Sequence, residues 1–393
     1  MTIASAPPHS DVDLFSDEVL LDPYPVYARL REMGAAVRLD ALDRVWALTR
    51  YDHIRAADGD WQTFSSDASV GLNEVINARL VGSILGSDPP WHDKLRAVLM
   101  AQLSPRSIRR ITDYVEEAAD RLVDSLVERG RFDAVPDLAT VLPLTVVFDL
   151  IGLPESGRGN MIRWADAMFT IFGPLNDRTR AGVQIIPEMY EWLGTLQAED
   201  LRPGSMGRSI FDVAGEQGFD HHQCVKLLAT YVTAGMDTTI NAISNAVALF
   251  AEHPDQWDAV RADPGLIPSA FNEVLRYESP VLAFARRVTR DVVIDGVEVP
   301  GGDQVVLLFG SGNRDERHYP DPDRFDVRRN PVDHLSFGYG IHTCAGQALA
   351  RIEGHAILRA LSERIRRFHT GEPKRHLNNV VRGLESLPVE IET

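Results

Sequence analysis

The sequence predicts a mainly α protein with a small β-rich region at one side. Three observations predict it. Between Pro90 and Arg366 most segments carry apolar residues at helical spacing. Short runs with strand character lie far apart, around 35–49, 288–309 and 378–391, so one compact domain fits better than two. Of 393 residues, 44% are hydrophobic and 25% charged, which allows a large core under a wet surface.

Residues 1–15 read as a disordered tail, and 16–393 as a single domain. Met1 to Ser10 has neither a basic region nor an apolar stretch, so no secretory leader is predicted. Leu20 to Met33 reads as a short helix that opens on prolines, and Ala35 to Thr49 as two short strands. From Pro90 to Gly130 the pattern is helical, interrupted at Ser104-Pro105. Val135–Leu150, Met161–Phe172 and Gln184–Leu196 continue as helices, with Gly173-Pro174 stopping the middle one. The longest helix is expected over His221–Glu252, and another over Phe271–Tyr277, ended by Ser279-Pro280. Val292–Ile294, a turn at Asp295-Gly296, Val297–Val299 and Val305–Leu308 read as strands. A loop without periodicity follows Arg324-Phe325 as far as Cys344, then a helix over Gly346–Arg366 and a last hairpin within Asn378–Ile391.

Forty basic against 57 acidic residues give a formal charge of −17. Such a surface repels phosphate, which excludes nucleic acid and an anionic membrane as main partners. Only two cysteines occur, Cys224 and Cys344, too few for a disulfide framework in this length. A reducing, cytoplasmic setting is expected. The longest apolar stretch, Leu227–Phe250, contains Thr230, Thr233, Asp237, Asn241, Ser244 and Asn245. These groups are costly in lipid, so the stretch reads as a buried core helix rather than a membrane span.

The most informative segment is Phe337-Gly338-Tyr339-Gly340-Ile341-His342-Thr343-Cys344-Ala345-Gly346, with three glycines around one cysteine ahead of a helix. Glycine permits positive φ and lets another body approach the backbone closely. Unpaired N–H groups at a helix start favour a thiolate. By itself this composition also suits a buried structural cysteine or a nucleophilic thiol.

Phe337, Gly340, Cys344 and Gly346 match the F-x-x-G-x-x-x-C-x-G spacing, and the chain resembles the bacterial cytochromes P-450. Three further segments follow that resemblance in order: Ala234-Gly235-Met236-Asp237-Thr238-Thr239, Glu273-Val274-Leu275-Arg276 and Pro322-Asp323-Arg324-Phe325. The resemblance covers about Asp22 to the C-terminus and implies the cytochrome P-450 fold, with haem b (iron protoporphyrin IX) held by Cys344 as iron ligand. It implies that Phe337, Gly338, His342 and Gly346 sit against the haem from the cysteine loop, and Ala234 and Gly235 from the long helix. His92, Arg96, Arg286 and His342 match positions that bind the haem carboxylates, and an arginine fork suits a carboxylate. Glu273, Arg276 and Arg324 match a structural ion cluster. Asp237 and Thr238 match an acid–alcohol pair that delivers protons during oxygen activation; peroxide-driven relatives lack it, which favours an O2-using, reductant-driven monooxygenase. Cys224 matches no motif and reads as packing.

Phe169, Phe172-Gly173-Pro174, Phe284 ahead of Arg286, and Arg382-Gly383-Leu384-Glu385-Ser386-Leu387-Pro388 make the chain similar, more narrowly, to the group that O-demethylates para-methoxybenzoate. That likeness implies substrate contacts from Ser66, Phe169, Phe172, Thr230, Ala234 and Phe284, with phenylalanines packing on a flat ring. Where relatives pair an arginine with a serine, this chain has Ala229 and Thr230, and the 65–77 loop has no Lys or Arg. Neutral methoxyphenols such as 4-alkylguaiacols therefore stand beside 4-methoxybenzoate-type acids as substrates. No flavin or nicotinamide motif appears, so electrons are expected from another protein; the resemblance implies a 2Fe-2S ferredoxin and its flavin reductase, with Arg106, Arg109, Arg110 and Arg351 as a basic docking patch. A peroxygenase and a non-enzymatic haem sensor stay open as rivals.

Overall fold

The computed structural model describes residues 7–393 apart from Ala68 and Ser104, and of residues 102 and 105–110 the backbone alone. Helices dominate, and strands from both chain ends gather at one side. The largest sheet has six strands in the order His9–Ser10, Ala36–Leu39, Val45–Leu48, Gln304–Leu308, Ala283–Val288, Phe64–Ser65. The two middle strands pair in parallel, with Trp46 opposite Val305, and Ala283–Val288 runs antiparallel to Gln304–Leu308, with Arg286 opposite Val305.

Three expectations need correction. Residues 7–15 are no tail: His9 and Ser10 pair with Arg38 and Leu39, and Leu14 and Phe15 are buried beneath the sheet with Tyr27 and Leu30. Apolar side chains at 14 and 15 have a sheet face to cover, and that holds the segment. The C-terminal hairpin pairs Lys374–Leu377 with Arg382–Ser386, while Pro388–Glu392 joins Arg367–Thr370 and Arg131–Asp133. The long helix is two, His221–Ala234 and Asp237–Glu252, broken at Gly235-Met236. The first is capped by Asp220, which accepts a hydrogen bond from the Gln223 N–H and satisfies one of the orphan donors of its first turn.

Asp237–Glu252 is the spine of the core; twelve of its sixteen residues are buried, including Ile240, Ile243 and Phe250. The 91–102, 105–129, 161–170 and 177–195 segments form helices as expected, the last beginning at Asp177 and containing Pro187. Among the described residues one stretch, Ala134–Ile151, is long and apolar enough to cross a membrane by length and composition. It is a π-helical turn followed by Val141–Ile151, packed against Asp237–Glu252 and Pro105–Arg129. Gln347–Arg364 lies against Pro105–Arg129 and Ile267–Tyr277, which fixes the segment just before it, the cysteine loop.

Candidate functional site

The cysteine loop closes on itself before it meets anything else. The Cys344 N–H donates to the Phe337 carbonyl at 2.8 Å, and Gly338 N–H to the Leu335 carbonyl at 2.8 Å. Gly340 has φ 69°, and a Cβ there would stand 2.5 Å from the Asp58 carbonyl oxygen, so only glycine fits. Burial pushes the Cys344 thiol up, opposed by the N–H groups of Gly346 and Gln347 and by the charges of Arg96 and Arg351. Cys344 lines a large, mostly apolar cavity, together with Phe337, Gly338, His342 and Gly346.

Four nitrogen-bearing side chains ring the same end. Arg96, Arg286 and His342 line the cavity, and the His92 and His342 rings meet edge to face at 4.6 Å. His92 and His342 are each left with a buried Nε2 that has no partner, and Arg96 has no carboxylate partner among the described residues. Burial, with Arg286, His92 and Arg96 nearby, holds His342 well below the usual imidazole range. Orphaned donors and two guanidinium groups beside a cysteine fit a group carrying two carboxylates. Sequence reasoning missed Asp58. It is buried, bonds Arg286 at 2.8 Å and accepts the Tyr339 N–H at 2.7 Å, so one carboxylate orients the arginine and the cysteine loop together. Its sequence setting, Asp-Gly at a helix end, signals only a turn.

The break between the two core helices opens onto this cavity. Ala234, Gly235 and Thr238 line it, and a Cβ on Gly235 would crowd the Tyr231 carbonyl at 2.7 Å. The Thr238 hydroxyl reaches back to the Ala234 carbonyl at 3.5 Å, a weak bond that leaves it able to turn. Asp237 lies outside the cavity wall, buried, with Oδ2 unpartnered among the described residues. Burial, then the Asp166 charge, push its carboxyl up to about 7, with the His376 charge opposing. His376 and Asp166 are hydrogen-bonded at 2.6 Å and both partly open to solvent. Because the folded value lies above the ordinary one, Asp237 is protonated below about pH 7 and ionises above it. Isotope-edited infrared spectra of the haem-free protein should therefore lose a protonated-carboxyl band as pH rises through about 7. Asp237→Asn should lack the component that titrates near 7 and keep that of the buried Glu353, which burial pushes up to about 8; an unchanged component near 7 in the variant assigns it to another group.

Phe169, Phe172, Phe284, Thr230 and Ala234 all line the cavity. Phe172 and Phe284 meet edge to face at 5.3 Å, and Phe169 lies 6.4 Å from Phe172. Ser66 does not line it. Asp88 accepts the Ser66 N–H at 3.1 Å and the Ser65 hydroxyl at 2.5 Å, clasping that turn away from the cavity, and the Ser66 hydroxyl is buried without a partner among the described residues. Leu80, Ser83, Ile84 and Leu85 take the covering position instead. A cation that sequence reasoning passed over, Lys226, is also in the wall.

The ion cluster differs by one member. Glu273 and Arg276 are fully buried and joined by two hydrogen bonds, 2.7 and 2.8 Å. Arg324 does not join them: its side chain is 66% exposed and pairs with Asp326. The turn points its carbonyl inward, where Arg276 and Arg329 donate to it, and Arg329 bonds Glu273 at 3.2 Å. Arg276 also holds the carbonyl of Asn313, whose side chain bonds Leu335 N–H and Ser336, so the cluster fastens the start of the cysteine loop. Of the proposed basic patch, Arg351 stacks over Phe337 at 4.5 Å; the side chains of Arg106, Arg109 and Arg110 lie outside the described residues. Cys224 is buried and outside the cavity wall, as packing requires.

Comparison with known proteins bears on this geometry. The family model for cytochrome P-450 matches residues 265–384. The chain is 38% identical to the cytochrome P-450 CYP199A2 of Rhodopseudomonas palustris, over 98% of this chain and 94% of that one. It is 35% identical to the cytochrome P-450 monooxygenase PikC of Streptomyces venezuelae, over 98% and 95%. Among solved structures, CYP109E1 of Bacillus megaterium in complex with testosterone superposes with a TM-score of 0.86 at 26% identity, covering 96% of this chain and all of that one. CalO2 superposes at 0.84 with 30% identity, covering 97% and 98%.

Proposed function

The chain belongs to the cytochrome P-450 family, and from that membership we propose that it O-demethylates or hydroxylates small para-substituted aromatics, 4-methoxybenzoate-type acids first, with electrons from a 2Fe-2S ferredoxin and its flavin reductase. It is a monooxygenase of a family that binds haem b through a cysteine thiolate, and Cys344 is the residue for it. When bound, the haem supplies reduction of O2 and oxidation of a C–H bond, and a thiolate ligand favours O–O cleavage.

The protein's own residues do the rest. His92, Arg96, Arg286 and His342 would hold the two carboxylates of the cofactor. Thr238 keeps a hydroxyl only weakly tied to the Ala234 carbonyl at the helix break, and Asp237 supplies it with protons from the direction of Asp166 and His376. The observation that carries the substrate reading is the trio Phe169, Phe172 and Phe284, which line the cavity that also holds Cys344 and suit a flat ring. Oxidation of the methoxy carbon inserts one oxygen atom of O2, and the other leaves as water with two electrons and two protons. The hemiacetal then releases formaldehyde and the phenol.

With ferredoxin, reductase and NADH, 4-methoxybenzoate should give 4-hydroxybenzoate and formaldehyde in equal amounts, and should shift the spin state more strongly than 4-alkylguaiacols. Thr238→Ala should bind the substrate with similar affinity while diverting most electrons to peroxide. Demethylation of the guaiacols alone overturns the acid reading; tight coupling in the variant removes Thr238 from proton delivery.

A further inference from the structure

The substrate cavity is lined by three cations and one acid among its described residues: Arg96, Lys226, Arg286 and Asp58. Asp58 is already paired with Arg286, and Arg96 and Arg286 belong with His342 at the cysteine end. Lys226 is left over. It sits one turn before Thr230 on His221–Ala234, so the two share a helix face. Its Nζ donates to the carbonyl of Val81, in the segment that covers the cavity, and it makes no ion pair among the described residues. Burial pulls its ammonium down from the usual lysine range, with only the more distant Asp220 charge opposing.

Two hydroxyls stand in the same wall. Ser83 accepts the Gly86 N–H at 3.1 Å, which leaves its own hydrogen free among the described residues. Thr230 donates to the Lys226 carbonyl at 3.0 Å, a local back-bond that it can exchange for a ligand oxygen. An ammonium with spare donors, in a wall that also carries two hydroxyls and whose one carboxylate, Asp58, is already held by Arg286, is an anion-binding arrangement in an otherwise apolar cavity.

We infer that Lys226, with Ser83 and Thr230, is the subsite that holds the carboxylate of an aromatic acid, and that it makes this chain select acids over neutral methoxyarenes of the same shape. The inference rests on the reading of the cavity as an aromatic-substrate site.

The test is calorimetric titration of the haem-loaded protein with 4-methoxybenzoate and, separately, its neutral near-isostere 4-methoxyacetophenone. Lys226→Met keeps side-chain length and removes the charge; Lys226→Arg keeps the charge. The acid should bind roughly 10- to 100-fold more weakly to Lys226→Met, as expected for loss of a charged hydrogen bond. The neutral ligand should change little, and Lys226→Arg should recover most of the acid affinity. Unchanged acid binding in Lys226→Met, or an equal loss for both ligands, would overturn the assignment. Product analysis of the parent enzyme keeps the two claims apart. If the parent demethylates 4-methoxybenzoate while Lys226→Met binds it normally, the subsite falls and the substrate reading stands; if the parent neither binds nor turns over any acid, both fall.

Discussion

Cys344→Ser abolishes the thiolate signature: the reduced parent protein treated with carbon monoxide gives a strongly red-shifted band, and the variant gives none. The expected effect is all-or-none because of where the sulfur sits. It faces the cavity beside the N–H groups of Gly346 and Gln347 and within reach of the charges of Arg96 and Arg351, all of which favour an anion. A serine hydroxyl in the same place keeps its proton and loses the electron donation that a thiolate gives to iron. Cys224→Ser is the matched control. That thiol is buried, pushed up to about 11 chiefly by burial, and outside the cavity wall, so its replacement leaves the band in place. A band that survives in Cys344→Ser, or is missing in the parent, would remove the iron ligand from the site.

Much of this could be read in the sequence, for identifiable reasons. The cysteine loop was legible because its glycines are required by backbone geometry: Gly340 occupies a left-handed conformation against Asp58, and no other residue fits. The helix break at Gly235 was not legible. Apolar periodicity runs on through it, while the backbone leaves the helical region at Met236, with φ −120°. The cysteine-loop anchor Asp58 was missed because its partners, Arg286 and Tyr339, are more than two hundred residues away in sequence. Ser66 and Ser83 illustrate the same limit. Both lie in irregular segments without periodicity, and only the clasp by Asp88 decides which one turns from the cavity. Lys226 carried no signal, since one lysine at the start of a helix reads as a solvated surface group.

Arg324 and Arg329 make the sharpest case, and they set up the second large effect. Both follow Pro322 within one irregular turn, and composition cannot say which guanidinium reaches Glu273. The fold gives the side chain of Arg329 and only the carbonyl of Arg324. The variants should therefore separate cleanly. Glu273→Gln leaves Arg276, fully buried, without its counter-charge, and should lower unfolding stability by about 3–5 kcal/mol. Arg324→Ala removes an exposed side chain but keeps the carbonyl, and should stay within about 0.5 kcal/mol. Arg329→Ala, half of a pair that Arg276 already shares, should fall between them. Urea denaturation of the haem-free protein measures all three without reference to activity. Haem retention should follow the same order, because the Arg276 link to Asn313, and from there to Leu335 and Ser336, is what holds the start of the cysteine loop. If Arg324→Ala proved as damaging as Glu273→Gln, the assignment of the third member to Arg329 would be wrong.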